Sequence, residues 1–560
     1  MDVFCCNGQQ PLHRRRGDRV FGGTNRTPCP MITILDYLII GGYFLGLVLF
    51  SYVIGRRYAG RADYFLGGRR MPAWAIGASM MATQAGVISM ISAPAFVALR
   101  PGGGLQWLQY EFAVPLAMIL VMAVLARTFY RANVITVYEY LERRFGAGTR
   151  LAFSAIFQVS RGLATGVSIY AAAILLSTIL GTSLTVAILL VGGISLLYTT
   201  MGGIAADVWS DVVQLFVLWI GIFIVLGYVI HYGGGWENLL PLIPEERVHA
   251  LNWAHGLGDG ATFGFWPMVL GGFFLYSSYY GCDQSQIQRV LSTPSLETAR
   301  RALFINGIGR FPLVLSYILV GFFFAGFLKA VPEFAALVPP EHPDYMIPVF
   351  IKHYVPTGIT GVLLAAMFAA VMSSIDSAFN SLAAATVQDI YARYVRPEAS
   401  DRHYLNISRL MTVVWGLLCT GFAFLAGGLA PTVIEGINKI GSVFYGPILA
   451  AFLLAILSRR ATGVGVIAGL LAGVGVNLVL WLCFEAEVSW LWWNAIGCIV
   501  TLGVAVLLGR QASPIEEEPV GRELWRELRR NAHTYGTLTA YFVLIVLISW
   551  ALGHLGRWLT

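Results

Sequence analysis

The sequence predicts an all-α, polytopic membrane protein, and three observations carry that reading. Of 560 residues, 57% are hydrophobic and 12% charged, with a mean hydropathy of +0.70, against about 25% charged residues in soluble domains. Windows of about 20 apolar residues recur from Ile32 onward, each long enough to cross a hydrocarbon core about 30 Å thick. The breaks between them are short, and arginine gathers in alternate breaks.

Taken in order, residues 1–31 form a polar tail bearing Arg14, Arg15, Arg16, Arg19 and Arg26. The tail has no apolar stretch that would make a signal peptide or a span, so disorder is expected. Met31 stands directly before the first apolar run and is an alternative start. About fourteen spans follow, at 32–54, 72–99, 107–126, 151–180, 184–200, 207–231, 262–281, 303–328, 358–390, 405–428, 433–457, 462–482, 490–508 and 536–556.

Arginine follows span one (Arg56, Arg57, Arg61, Arg69, Arg70), three (Arg127, Arg131, Arg143, Arg144), seven (Arg289, Arg300, Arg301), nine (Arg393, Arg396, Arg402), eleven (Arg459, Arg460) and thirteen (Arg510, Arg522, Arg526, Arg529, Arg530). Those loops are expected to be cytoplasmic, which puts both termini outside and leaves the tail as the one segment against the rule. The same pattern explains the net charge of +7 without a nucleic-acid partner. Seven cysteines show neither CxxC nor metal-ligand spacing and read as small buried hydrophobes.

Three stretches break the apolar pattern. The second span is interrupted by Gly77, Thr83, Gln84, Gly86, Ser89, Ser92 and Pro94 and reads as a broken helix, whose freed carbonyls can meet a cation; small residues for close helix packing are the simpler alternative. The seventh ends in Tyr276, Tyr279, Tyr280, Asp283, Gln284, Gln286 and Gln288, five spans after the second, the spacing expected of two five-helix repeats of opposite topology. In the stretch 358–391, Ser373, Ser374, Asp376, Ser377, Asn380 and Ser381 put hydroxyls, a carboxylate and an amide on one helical stripe. A carboxylate at membrane depth costs roughly 2.5–3.5 kcal/mol on insertion scales and by default marks an ion or solute path.

Six stretches, in this order, resemble the sodium:solute symporter family: DYFLGGRRMPAWAIGAS (63–79), TVYEYLERRFG (136–146), YTTMGGIAADVWSDVVQLFVL (198–218), DQSQIQR (283–289), AAVMSSIDSAFNS (369–381) and GSVFYGPILAAFLLAIL (441–457). The resemblance covers about residues 32–508. It implies the inverted-repeat fold named after the bacterial leucine transporter, with repeats at 72–231 and 262–457, an extra N-terminal helix at 32–54 and peripheral C-terminal helices at 458–560. It also implies one sodium ion between the carbonyls of Ala82 and Ala85 and the Ala370 carbonyl with the Ser373 and Ser374 hydroxyls, an oxygen cage for a hard cation. Members that couple two sodium ions add groups that fall on Asp211, Asp376 and Ser377. Asp376 stands where the sugar carriers have Ser or Thr, so two carboxylates are expected to face each other and either bind a second Na⁺ or share a proton. The solute positions fall on Ser89, Glu111, Tyr276, Tyr279 and Asn438, where only Glu111 and Tyr279 keep the sugar-carrier residue types. Tyr279 would be the inner gate, and Lys439 would either meet a solute carboxylate or snorkel to an interface.

The expectation is therefore a sodium-coupled symporter in the plasma membrane, a bacterial inner membrane by preference, importing a small polar organic solute by alternating access. Retention of Glu111 leans the solute toward a sugar or polyol. The alternatives are a proton-coupled or sodium-independent carrier for a vitamin or monocarboxylate, and a transporter-like sensor. Its partners would be the solute, one or two sodium ions and the bilayer, with no protein partner evident. No nucleophile–base set or phosphate loop points to an enzyme.

Overall fold

The computed structural model describes residues 32–55, 66–199, 203–509 and 520–559. The polar tail expected over 1–31, and the loop arginines Arg56, Arg57, Arg61 and Arg510, lie outside the described residues.

Helix dominates throughout, as the lack of water in a bilayer core demands of a backbone that must satisfy its own hydrogen bonds. We number the helices α1 Ile34–Gly55, α2 Ala73–Gln84, α3 Val87–Ala98, α4 Ala113–Leu120, α5 Val137–Phe145, α6 Ala147–Leu180, α7 Leu184–Thr199, α8 Gly203–Tyr232, α9 Gly272–Cys282, α10 Gln284–Leu291, α11 Leu296–Ala330, α12 Met346–Tyr354, α13 Ile359–Ala385, α14 Asp401–Ala423, α15 Val433–Leu457, α16 Gly463–Cys483, α17 Trp493–Leu507, α18 Val520–Arg530 and α19 Ala532–Leu559.

Among the described residues, eleven helices are long and apolar enough to cross a membrane, or twelve with the bent pair α2–α3 counted as one span. The expected fourteen are not all reached, for two physical reasons. Leu184–Leu197 is apolar but short, and the seventh segment is cut at Asp283, which has extended backbone (φ −77°, ψ 122°) and caps α10 by accepting from Ser285 N.

The second span is broken as its composition suggests: α2 and α3 meet at 55°, across Ala85 (φ −87°, ψ 61°) and the extended Gly86 (φ −76°, ψ −169°). Close packing also matters there. A Cβ on Gly321 of α11 would come within 2.5 Å of the Pro94 carbonyl oxygen, so only glycine lets α11 press against α3.

The interior is organised on α13, whose most apolar window is 89% buried, whereas that of α1 is 6% buried and that of α19 22%. Large apolar side chains such as Phe216, Phe223, Leu417, Leu471, Leu482 and Ile499 are exposed on the outer helices. Such a surface suits lipid and would aggregate in water.

Candidate sodium cage and solute cavity

The break between α2 and α3 lies against α13. The Ser373 hydroxyl is 3.1 Å from the Ala82 carbonyl oxygen and 3.0 Å from that of Ala370, so its single proton serves one of them at a time. The Ser374 hydroxyl donates to the Thr83 carbonyl at 2.8 Å. Ala85 makes the last helical bond of α2, to Met81 O at 2.9 Å, and Gly86 then packs so tightly that a Cβ would sit 2.5 Å from Ser374 Oγ and 3.4 Å from Ala370 O. Ala82, Ala370, Ser373 and Ser374 thus converge on the break at Ala85. The donors are all hard oxygens, and the hydroxyls can rotate their lone pairs toward an alkali cation.

At the neighbouring expected position, the Arg289 guanidinium from α10 lies on Asp211 and Ser377. Arg289 Nη2 is 2.8 Å from Asp207 Oδ2 and 3.0 Å from Asp211 Oδ2, its Nε donates to Ser79 Oγ at 2.7 Å, and it also donates to the Ser377 hydroxyl. Ser79 in turn donates to Asp211 at 2.5 Å. Asp376 turns toward α7 and accepts from the Thr199 hydroxyl at 2.6 Å. Arg289 is fully buried, not a loop arginine: the break at Asp283 turns the chain back into the protein. Neither Arg289 nor Asp207 was assigned a site role by sequence reasoning, although both stand in stretches that resemble the family.

Beside the break lies a cavity of about 120 Å³ whose wall includes Ser89, Glu111, Tyr276, Tyr279 and Asn438, so the structure brings all five expected solute positions together. They are not equally free. Glu111 accepts from Arg310 Nε at 3.1 Å and from the Tyr276 hydroxyl at 2.9 Å, and Asn438 donates to Ile434 O at 2.7 Å. The Tyr279 hydroxyl accepts from Gln286 at 2.8 Å. Lys439 pairs with Glu485, which accounts for its charge without a solute.

Arg161 of α6, a residue that sequence reasoning missed, is on the same wall. Its guanidinium lies 5.9 Å from the Tyr279 ring centre, its nearest carboxylate contact is Asp283 at 3.8 Å, and its buried Nε has no hydrogen-bond partner. An arginine in mid-span was itself a signal.

At the opposite end, the first turn of α15 is docked onto α3. Ile434 N donates to Ser92 Oγ at 2.9 Å and Val433 N to Asp344 Oδ2 at 3.0 Å, while Arg100 pairs with Glu435 at 2.8 Å. Burial pushes the Asp344 carboxyl up to about 6. Among the described residues no group of three or more His, Cys, Asp or Glu is arranged to hold a metal ion.

Comparison with known proteins agrees with this geometry. The family model described as the sodium:solute symporter family matches residues 64–473. Sodium-coupled monocarboxylate transporter 1 of Homo sapiens is 29% identical over 466 residues, 81% of this chain and 74% of that protein. The sodium/iodide cotransporter of Homo sapiens is 30% identical over 428 residues, 76% of this chain and 65% of that protein. The solved structure of a Na⁺-coupled sialic acid symporter, substrate-bound and outward-open, superposes with a TM-score of 0.76 at 23% identity, covering 86% of this chain and 100% of that one, and so shares the fold. With the broken helix, the Arg289 helix and the whole serine-bearing span inside one continuous match, the chain belongs to the sodium:solute symporter family, multi-pass sodium-coupled transporters and not enzymes.

Proposed function

We propose that the protein uses an inward sodium gradient to import a small monocarboxylate across the plasma membrane. The observation that carries the solute class is Arg161, a cavity-wall cation with an unpartnered Nε and only a 3.8 Å contact to a carboxylate. A solute carboxylate would complete its hydrogen bonding in a site with little water to compete. Arg310, the other arginine on the wall, is already neutralised by Glu111 at 3.1 Å. That pairing weakens the reason for leaning to a sugar, since both Glu111 oxygens already accept hydrogen bonds within the protein. The names of the relatives, a monocarboxylate and an iodide carrier, also point to an anion.

Sodium would bind first at Ala82, Ala85, Ala370, Ser373 and Ser374, fixing the angle between α2 and α3 and with it the cavity wall at Val87, Ile88 and Ser89. The carboxylate would meet Arg161, and its apolar part Val87, Ile88 and Leu275. Tyr279, held by Gln286, would close the cytoplasmic side until sodium leaves and α2 separates from α13. A second break at Asp283, five spans after the first, supports two inverted repeats beginning at α2 and at α9.

The test is uptake of radiolabelled L-lactate and benzoate into proteoliposomes under an inward sodium gradient, with galactose as competitor. Sodium-driven uptake that galactose leaves unchanged and that Arg161→Gln abolishes is expected. Uptake undiminished without the gradient, or competition by galactose alone, overturns the reading.

A further inference from the structure

We propose that α18 docks the headgroup of an anionic phospholipid of the cytoplasmic leaflet, on a face built from Trp525, Arg529 and Arg530.

Leu524, Glu527, Leu528 and Asn531 recur at i, i+3, i+4 and i+7 and share one stripe. That stripe faces the protein. Leu524 and Leu528 pack against the core, and Glu527 is buried between two arginines of other elements. Arg300, in the first turns of α11, donates to it, and Arg127 Nε lies 3.8 Å from its Oε2. Asn531 also donates to Glu527 Oε1 at 2.6 Å. The rest of the helix is turned outward: Trp525 is 66% exposed, and Arg526, Arg529 and Arg530 are exposed beside it.

Asn531 alone separates α18 from α19, a membrane-crossing candidate whose apolar window is only 22% buried. A helix so bare of protein contacts meets lipid, which sets α18 at headgroup depth, on the side that the loop arginines assign to the cytoplasm. An indole exposed at that depth suits the bilayer interface, where its ring is covered and its N–H stays wet. Charge gives the sign of the lipid. The helix holds four arginines against two glutamates, and Glu527 is already engaged by Arg300 and Arg127. Glu516, Glu517 and Glu518 precede it and lie outside the described residues. Beneath the helix, Arg300 Nε is buried without a hydrogen-bond partner, although Nη1 of the same guanidinium lies 3.9 Å from Glu297. A surplus of arginine forks beside an interfacial tryptophan matches a phosphate ester at the membrane surface. The pair α18–α19 also grips α11: the Tyr541 hydroxyl donates to Ile308 O at 2.8 Å, and a Cβ on Gly307 would come within 3.1 Å of Leu538. Since α11 backs the broken span, a lipid held on α18 would steady the folded protein as a whole.

The test is binding of radiolabelled phosphatidylglycerol to full-length protein in a neutral detergent, beside phosphatidylcholine and with glycerol 3-phosphate as a soluble competitor. Saturable binding of phosphatidylglycerol, roughly tenfold or more tighter than phosphatidylcholine and untouched by glycerol 3-phosphate, is expected. Each arginine near an anionic surface contributes about fivefold, so Arg529→Gln combined with Arg530→Gln should weaken binding by roughly twentyfold. Arg459→Gln combined with Arg460→Gln, exposed arginines of another loop on the same side, should leave it unchanged. Phosphatidylglycerol should also raise the melting temperature of wild type and not that of the Arg529 and Arg530 variant. Equal binding of the two lipids, which would leave the face to a soluble protein, overturns the proposal. So does equal loss in the two arginine pairs, or displacement by glycerol 3-phosphate, which would mark a site for free phosphate esters. If the Arg529 and Arg530 variant does not fold, Trp525→Ala carries the test: weakening by about fivefold or more is expected, and an unchanged affinity overturns the proposal.

Discussion

Arg100 and Glu435 form a two-contact ion pair, Nε to Oε1 at 2.8 Å and Nη2 to Oε2 at 3.3 Å, that ties the chain just beyond α3 to the first turn of α15. Both helices contribute to the cavity wall, through Ser89 and Ile434, so the pair clasps two sides of the cavity and is expected to act as its roof. Arg100 is partly exposed, at 22% of its side chain, and such a pair is worth about 1 kcal/mol, roughly a fivefold shift between closed and open. In Arg100→Gln, a cysteine placed at Ser168 on the wall should react about fivefold faster with a membrane-impermeant thiol reagent. An unchanged rate would show that the roof is held by Ser92 and Asp344 alone.

Asp344 gives the same roof a pH dependence. Its carboxyl is pushed up to about 6 by burial, while hydrogen bonds from Ser92 and Val433 N and the nearby His342 act in the opposite direction and Glu435 adds to the rise. Tyr170 and Tyr345 also face it. Opening to water would return the group toward its ordinary value of about 3.9, so the closed roof binds the proton more tightly. The stabilisation of the closed form is complete below about pH 4 and is lost as pH rises through about 6, a swing on the order of 3 kcal/mol. Labelling of the Ser168 cysteine, taken at each pH relative to a fully exposed cysteine because only the thiolate reacts, should therefore be slower at pH 5 than at pH 8, and Asp344→Asn should flatten that ratio. A ratio that keeps its pH dependence in Asp344→Asn overturns the role of Asp344.

Glu111 and Arg310 test whether the cavity wall needs both charges. Each is nearly inaccessible, at 2% and 4% of its side chain, and removing one partner strands the other, which costs about 3–5 kcal/mol. Glu111→Gln should lower the melting temperature of the detergent-solubilised protein steeply. Glu111→Gln combined with Arg310→Met should recover most of the loss. Equal damage in the single and double variants would mean that Glu111 matters for its contact with Tyr276 and not for the ion pair.

Much of this was legible in the chain because the bilayer enforces simple rules. Polar residues and glycines inside an apolar run gave the break at Gly86, and the serine stripe gave Ser373 and Ser374, since each is anomalous at its depth. Arg289 was hidden by the success of another rule: an arginine following an apolar run is ordinarily a cytoplasmic loop residue, and only the turn at Asp283 sends it back inside. Asp207 was eclipsed by Asp211, one helical turn away, to which the family resemblance assigned the role. Arg161 and Glu111 show the limit from the other side. One charge in mid-span is conspicuous, but whether it is free or neutralised depends on a partner more than a hundred residues away, as with Glu111 and Arg310.

The sodium cage can be tested through its backbone, without touching a ligand. Gly86 has φ −76°, a value open to any residue, so substitution there adds no backbone strain of its own and acts through space alone. In Gly86→Ala the new methyl would stand 2.5 Å from Ser374 Oγ and 3.4 Å from the Ala370 carbonyl oxygen, so the serine must swing away from Thr83 or α3 must lift off α13. Either movement displaces an expected sodium ligand while leaving the α11 contacts of α2 and α3 in place. The variant should therefore express and melt within a few degrees of wild type, since a single overpacking change costs typically about 1–3 kcal/mol, yet its sodium affinity at the cage should fall by tenfold or more. Gly77→Ala is the matched control: its methyl would meet Ile305 of α11 at 2.8 Å, a clash of similar severity remote from the serines. Sodium affinity lost equally in both variants would place the effect in general packing, whereas loss in Gly86→Ala alone assigns the ion to the broken helix.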